Sequence, residues 1–360
     1  MAMKTSGWMC PSWKLPRTKS PICRTDGSWL PVLAVYCLAV CCLAVLAPLA
    51  AGQALAQDMG SRFRIGVVTA GRDDARSEAE PFRDELEYRL GLPADLFLMD
   101  TLGELTDALI AGHVQYGRLS ATAYAAARKA CACVEPLAAP RDGDGADGFH
   151  AILMTKAGEV SSLEALAGKR LAIGPARSTA AFRVPLAALA ASGRDPRQFF
   201  SALVPVSGPE EGLAALHDGL AEAALGWSTL LGEADTGYSA GTLMQAYDRM
   251  RLDVGRLTVV WQSPRIPFAV HVVRSDVAPE LKDRLRQMLS SLQDEAPGAY
   301  FAIEPDFGGG FVPVLPEDFS AVMLPLEPQW QAMLKEIADQ QSAAPAALPE
   351  DGGEGELLPP

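Results

Sequence analysis

Beyond the first sixty residues the chain has very little cysteine: of seven in the sequence, five lie before residue 43 and only Cys131 and Cys133 remain. A disulfide framework is therefore excluded, and the pair, one residue apart, can either close a small ring or stay reduced. Histidine is also scarce, and His113, His150, His217 and His271 are scattered. No HExxH and no CxxC occurs, so zinc catalysis and dithiol exchange have no residues to carry them, and no metal site is expected. The phosphate loop of ATPases is missing too. Gly226-Trp-Ser-Thr-Leu230 resembles half of a nucleophile elbow but lacks the closing glycine and any evident histidine partner. Nothing here argues for an enzyme, and no cofactor is called for. Past Ala50 no apolar run is long enough to cross a bilayer.

Positive charge is in short supply as well: 31 Lys and Arg stand against 44 Asp and Glu. Five of those bases and one acid fall in residues 1–56, leaving 26 against 43 and a net charge of −17 for the remainder. Such a surface repels nucleic acid, which is excluded as a partner. An anionic small molecule is not excluded, because short-range N–H donors and one buried arginine decide its binding.

The N-terminus has what the rest lacks. Lys4, Lys14, Arg17, Lys19 and Arg24 precede an almost uninterrupted apolar run over Trp29–Ala50, followed by Gly52-Gln-Ala-Leu-Ala56. Basic region, apolar run and Ala-x-Ala spell a secretory signal peptide over residues 1–56 with cleavage after Ala56, the alternative being an uncleaved anchor. Leu38-Ala-Val-Cys41 is a poor match to a lipoprotein site.

Apolar spacing then predicts strands alternating with helices. Strands are expected over Phe63–Val68, Ala94–Met99, His113–Gly117, Val134–Ala139 and Phe149–Thr155, with a Gly/Asp-rich turn at Arg141–Gly148. Helices are expected through Phe82, Leu86 and Leu90 to Gly91, through Leu102, Leu105 and Leu109 to Gly112, and over Ser120–Lys129. The alternation resumes with a capped helix at Ser162–Gly168, strands at Leu171–Ile173, Leu203–Ser207 and Ala223–Gly226, a helix over Glu210–Asp218, and a helix starting at Trp227. Gly232–Leu252 reads as an irregular surface excursion; strands at Thr258–Trp261 and Phe268–Val273 and a helix at Pro279–Leu292 follow. The residues from 336 on, rich in Ala, Pro, Gly and Glu, read as a disordered tail. Both halves repeat one phrase: Leu105-x-x-Ala-Leu-x-x-Gly112 before Gly117-Arg-Leu-Ser120, and Leu213-x-x-Leu-x-x-Gly219 before Gly226-Trp-Ser228. Alternation of this kind gives an α/β fold of two mainly parallel sheets flanked by helices, whose ligands bind beyond the carboxyl ends of the strands.

The most informative stretch is Leu171-Ala-Ile-Gly-Pro-Ala-Arg-Ser-Thr-Ala-Ala-Phe-Arg-Val-Pro185. A short strand breaks at Gly174-Pro175, and Ser178-Thr179-Ala180 opens a helix whose first N–H groups lack partners within it. Ser178 and Thr179 there suit an anion cradle or a simple N-cap equally well.

With Phe63–Val68, Ala108-Leu-Ile-Ala-Gly112, Tyr116-Gly-Arg-Leu-Ser120, Ser162–Arg170, Gly174–Pro185 and Trp261-Gln-Ser-Pro-Arg-Ile-Pro267, residues 63–325 resemble the periplasmic phosphate/phosphite/phosphonate-binding proteins of ABC importers, which have the two-lobed type II fold. The resemblance implies a first lobe over 62–154 and 264–335, a second over 155–263, and hinges near Met154–Lys156 and Ser263–Pro267. It implies an exported, periplasmic receptor, expected as a monomer, that closes on a small anionic solute and delivers it to an inner-membrane permease. The family's Ser-Thr-Ser grip falls on Ser178, Thr179 and Ala180, the last keeping only its N–H. Ser120 and Ser228 start the corresponding loops in the two lobes. Arg118 stands where the family has proline, and is either a bidentate anion contact or a surface charge. Glu210 and Trp227 replace a His and an Asp of phosphonate binders, and Leu102 a tyrosine, which speaks against an aminoalkylphosphonate ligand. Glu210 would repel a dianion unless protonated or turned away; Trp227 either stacks on an organic group or belongs to the core. A sulfonate, nitrate, or thiamine-precursor-like solute, and a sensory role beside a receptor kinase, are the alternatives.

Overall fold

The computed structural model describes residues 62–232, 237–245 and 256–343. The expected signal peptide therefore lies outside the described residues, as do 344–360 of the expected tail and much of the expected excursion.

Local sequence sets the first elements. Phe63 and Ile65 point to one side of β1 (Phe63–Val68) and meet Phe82, Leu86 and Leu90 of α1 (Ala75–Leu90), all buried. Gly91 closes that helix at φ 68°, a left-handed position that glycine adopts without a Cβ clash. β2 (Ala94–Met99) pairs in parallel with β1. Thr101 caps α2 (Leu102–Ala111) by accepting from the N–H of Glu104. β3 (Tyr116–Ser120) runs directly into α3 (Ala121–Cys131), and β4 (Val134–Pro140) follows. The third strand thus begins three residues later than periodicity suggests. His113–Gln115 form the connection, and Gln115 is tied across to the backbone of Arg64.

Beyond the Arg141–Asp147 turn the chain enters a second sheet. β5 (Gly148–Lys156) pairs with β8 and β10 of that sheet from His150 onward. β6 (Arg170–Ile173) leads to the Ser178 turn and α4 (Val184–Ala191); a one-turn helix, α5 (Pro196–Phe199), precedes β7 (Ala202–Pro205). α6 (Pro209–His217) ends near Gly219 at φ 70°. The helix expected at Ser162–Gly168 is only a tight turn over Glu164–Leu166. The helix expected at Trp227 is absent: β8 runs unbroken over Ala223–Leu230, because β5 on one side and β9 (Tyr238–Gly241) on the other supply ladder partners that local sequence does not reveal. β10 (Leu257–Gln262), β11 (Ile266–Pro267) and β12 (Ala269–Arg274) follow, then α7 (Pro279–Glu295) and α8 (Pro297–Ile303). β13 (Phe311–Pro313), the single turn α9 (Ser320–Met323) and α10 (Pro328–Ala343) complete the order. α10 extends into the expected tail, with Met333, Leu334 and Ile337 buried against the second sheet and the Gln341 amide donating to the Gly174 carbonyl.

The sheets are mixed rather than nearly parallel. Their orders are β13-β4-β12-β3-β1-β2 and β10-β5-β8-β6-β7. Apart from the edge strand β13, both follow one plan: second, first and third strands in parallel, then a strand arriving from the other half, antiparallel, then the fourth. The arriving strands are β12 in the first sheet and β5 in the second. Among the described residues, no helix is long and apolar enough to cross a membrane.

The passage between sheets is tight at Gly148, where a Cβ would lie 2.4 Å from the carbonyl oxygen of Ile266. Gly148→Ala is expected to destabilise the fold by about 1–3 kcal/mol, lowering the melting temperature by about 2–4 °C per kcal/mol. Gly143→Ala, with nothing within 4 Å of the added carbon, serves as the neutral comparison in the same thermal denaturation experiment.

Candidate functional site

Gly174 follows β6 and donates its N–H to Ala181 at 3.0 Å; a Cβ at 174 would stand 2.7 Å from that of Ala181, so the approach requires glycine. The turn that follows is wider than an α-helix. Arg183 N–H reaches back five residues to the Ser178 carbonyl at 2.9 Å, and Val184 N–H to Thr179. Such π-turns inside helices recur at functional sites. Ser178 Oγ accepts from Ala181 N–H at 3.0 Å, so its oxygen caps the turn while its hydroxyl hydrogen is left to donate elsewhere. Thr179 is half-buried, whereas Ala180 is 3% exposed and packs with Ala121 and Ala125 of α3 in a cluster drawn mostly from the first sheet.

The first sheet supplies the opposing side. Ser120 ends β3 and caps α3, its Oγ accepting from Ala123 N–H at 3.2 Å and lying 3.1 Å from Thr122 Oγ1. Thr122 and Ala126 of α3 then face Thr179, Arg183 and Val184 across a cavity of about 60 Å³, closed by Val322, Pro325 and Leu326. Two hydroxyls and one guanidinium line an otherwise apolar space, which suits a small, hydrogen-bonding anion.

The other expected site residues are placed differently. Arg118 gives Nε and Nη2 to the two carboxylate oxygens of Glu304 at 2.7 and 2.9 Å and lies over the Phe307 ring. Its fork is thereby engaged within the protein by Glu304. Glu304 is fully buried just past α8, and also meets His271 Nε2 at 2.8 Å, while His271 Nδ1 lies 2.6 Å from the Tyr116 hydroxyl. Burial pushes the Glu304 carboxyl up, but the His271 hydrogen bond and the charge of Arg118 outweigh it and hold it below its ordinary range. His271 is lowered, chiefly by burial and against the pull of Glu304, and Tyr116 is raised by burial. This polar chain fastens β3, β12 and α8 together, with Arg118 as its partly exposed end.

Ser228 is buried in the middle of β8, its hydroxyl donating to the Ala240 carbonyl, so it does not open a helix as expected. The Trp227 ring sits edge-on to Phe149, with ring centres 5.9 Å apart, and the Trp227 backbone N–H donates to Thr242 Oγ1. Glu210 lies half-buried in the first turn of α6. Of the expected site residues only Thr179 lines the Thr122–Thr179 cavity; Arg118, Ser120, Ser178, Ala180, Glu210, Trp227 and Ser228 do not. Arg183 and Thr122 were missed, although both lie within or beside the stretches already singled out. Glu304 and His271 carry no local signal, since only strand pairing brings them beside Arg118.

Two matched α/β sheets with helix starts from each converging on a small cavity define a two-lobed binding protein of the α/β class. The chain belongs to the family described as ABC transporter, phosphonate, periplasmic substrate-binding protein, which matches residues 65–319. A curated relative, the phosphate-import protein PhnD of Mycolicibacterium smegmatis, is 25% identical over 306 residues, covering 79% of this chain and 92% of its own. Among solved structures, XAC2383 from Xanthomonas citri, bound to ATP, is 18% identical with a TM-score of 0.49, over 78% of this chain and 98% of that one. Transferrin 1 of Manduca sexta, 13% identical with a TM-score of 0.51 over 76% of this chain and 47% of its own, shares the fold.

Because His271 and Glu304 both hold their protons less tightly when folded, the unfolded chain binds more protons just below their ordinary values of 6.5 and 4.5. Stability contributed by His271 is complete above pH 6.5 and declines as pH falls below it; that from Glu304 declines below 4.5. In denaturant melts between about pH 7 and 5.5, His271→Gln is expected to show a smaller loss of stability on acidification than the unsubstituted protein.

Proposed function

We propose that this protein captures a small phosphorus oxyanion between its two sheets and hands it to the permease of an ABC importer. The observation that carries the reading is that Thr122 and Thr179, one from each half of the chain, line one small cavity. Ser178 and Ser120 cap the two turns from which Thr179 and Thr122 project. Membership of a periplasmic substrate-binding family and the phosphate-import relative support both the solute class and the permease partner. The N-terminal leader, cleaved after Ala56, serves export. No residue is assigned a chemical step: the site holds donors for an anion and closes by bending where β5, β11 and β12 join the halves.

Selectivity for anions on a strongly acidic chain follows from range. Repulsion from carboxylates more than about 8–10 Å away is screened at physiological salt, whereas hydroxyl and guanidinium donors act at contact. Ligand at a hundred times its dissociation constant stabilises by about 2.7 kcal/mol. Phosphate, phosphite or methylphosphonate is therefore expected to raise the melting temperature by about 5–10 °C; no shift with any of these or with sulfate overturns the reading. Thr179→Val keeps the side-chain shape and deletes one hydroxyl. It is expected to weaken that ligand about tenfold or more with the fold intact. Substitution at Ala180 is less informative, because a larger side chain at this packed position costs about 1–3 kcal/mol of folding.

A further inference from the structure

We infer that Arg183, and not Arg118, supplies the positive charge that holds the anion, and that this makes the site selective for oxyanions without an amino substituent. The inference rests on the reading of the Thr122–Thr179 cavity as the ligand site, and goes beyond it in naming the charge and the ligand class.

Arg183 closes the π-turn and is half-buried. It lines the 60 Å³ cavity beside Thr122 and Thr179, and also a more open groove of about 260 Å³ formed with Phe182, Gln331, Leu334 and Lys335. Arg183 is therefore the charged residue shared by the two spaces. Among the described residues no carboxylate or carbonyl engages it, whereas Arg118, Arg170, Arg197, Arg265 and Arg274 are all paired with acids. Arginine is held back from water here without an internal counter-charge, and five donors in a fixed fork match the oxygens of a phosphate or phosphonate. Lys335, across the groove, is already paired with Asp339 at 2.6 Å, so the net charge facing both spaces is that of Arg183.

The lining is as informative for what it excludes. Neither cavity nor groove contains an Asp or Glu side chain. An ammonium group carried on the ligand would lie near Arg183 with no carboxylate in the lining to receive it, a like-charge contact in a partly desolvated site. A bare oxyanion, or a phosphonate with a small apolar substituent lying along Phe182 and Leu334, meets no such penalty.

Calorimetric titration of the whole purified protein with phosphate, methylphosphonate and 2-aminoethylphosphonate tests this. Methylphosphonate or phosphate is expected to bind at least about tenfold more tightly than the amino compound. Arg183→Gln is expected to weaken phosphate and methylphosphonate about 10- to 100-fold and to narrow that preference, while Arg183→Lys retains part of the affinity. Since Arg183 has no internal partner, its replacement is expected to leave the ligand-free melting temperature unchanged, which separates loss of binding from loss of fold. Unchanged affinity in Arg183→Gln, or tighter binding of the amino compound by the unsubstituted protein, overturns the inference while leaving the oxyanion reading standing. If the unsubstituted protein binds none of the three, both fail together.

Discussion

The architecture depends on two strands that cross between the halves and become interior members of the sheet they enter. β12 is hydrogen-bonded to β3 on one side and β4 on the other, and β5 to β8 and β10. An interior strand has both of its backbone edges satisfied, so neither can be withdrawn without breaking two ladders at once. The chain thus stitches the halves together at their centres, through short connections beside Gly148 and Ser263–Phe268. A site assembled from α3 on one side and the Ser178 turn on the other inherits its geometry from that stitching.

The same crossing accounts for the buried polar chain in the first sheet. β12 brings His271 opposite Arg118, and α8 brings Glu304 to both. A fully buried carboxylate is tolerable only with its lone pairs occupied, and here a guanidinium and an imidazole occupy them. Arg118 is consequently spent on structure. A second arginine, without an internal partner, stands where the two halves meet, and the contrast between Arg118 and Arg183 is a contrast of environment, not of residue type. With residues 57–360 at a net charge of −17, an anion could be favoured only by such local donors and not by the overall field.

The Ser178 turn shows how a modest backbone irregularity shapes a site. Gly174 lets the strand end press against Ala181, and the wide turn that follows buries Ala180 while leaving Thr179 at the rim. Ala180 joins the buried cluster of the first sheet, while Gly174 and Ala181 close on each other within the second half.

Much of the fold was legible along the chain, because periodicity and punctuation are local. The apolar spacing of Phe82, Leu86 and Leu90 with Gly91 behind it, the Thr101 and Ser120 caps, and the repeated Leu/Gly phrase needed only residues within a few turns of one another. The repeat is now seen as one sheet plan used twice. The Ser178–Ala180 turn was legible for the same reason, as a strand, a break and small residues in sequence. What tertiary structure alone decided were the properties that depend on distant partners: β8 continuing where local sequence favours a helix, because β5 and β9 lie beside it; Ser228 and Trp227 turned into the core by that continuation; Arg118 claimed by a glutamate 186 residues away. Pairing across such separations is enforced by the burial of whole sheet faces, which no window of sequence contains, and it determines which charges are spent and which are left to meet a ligand.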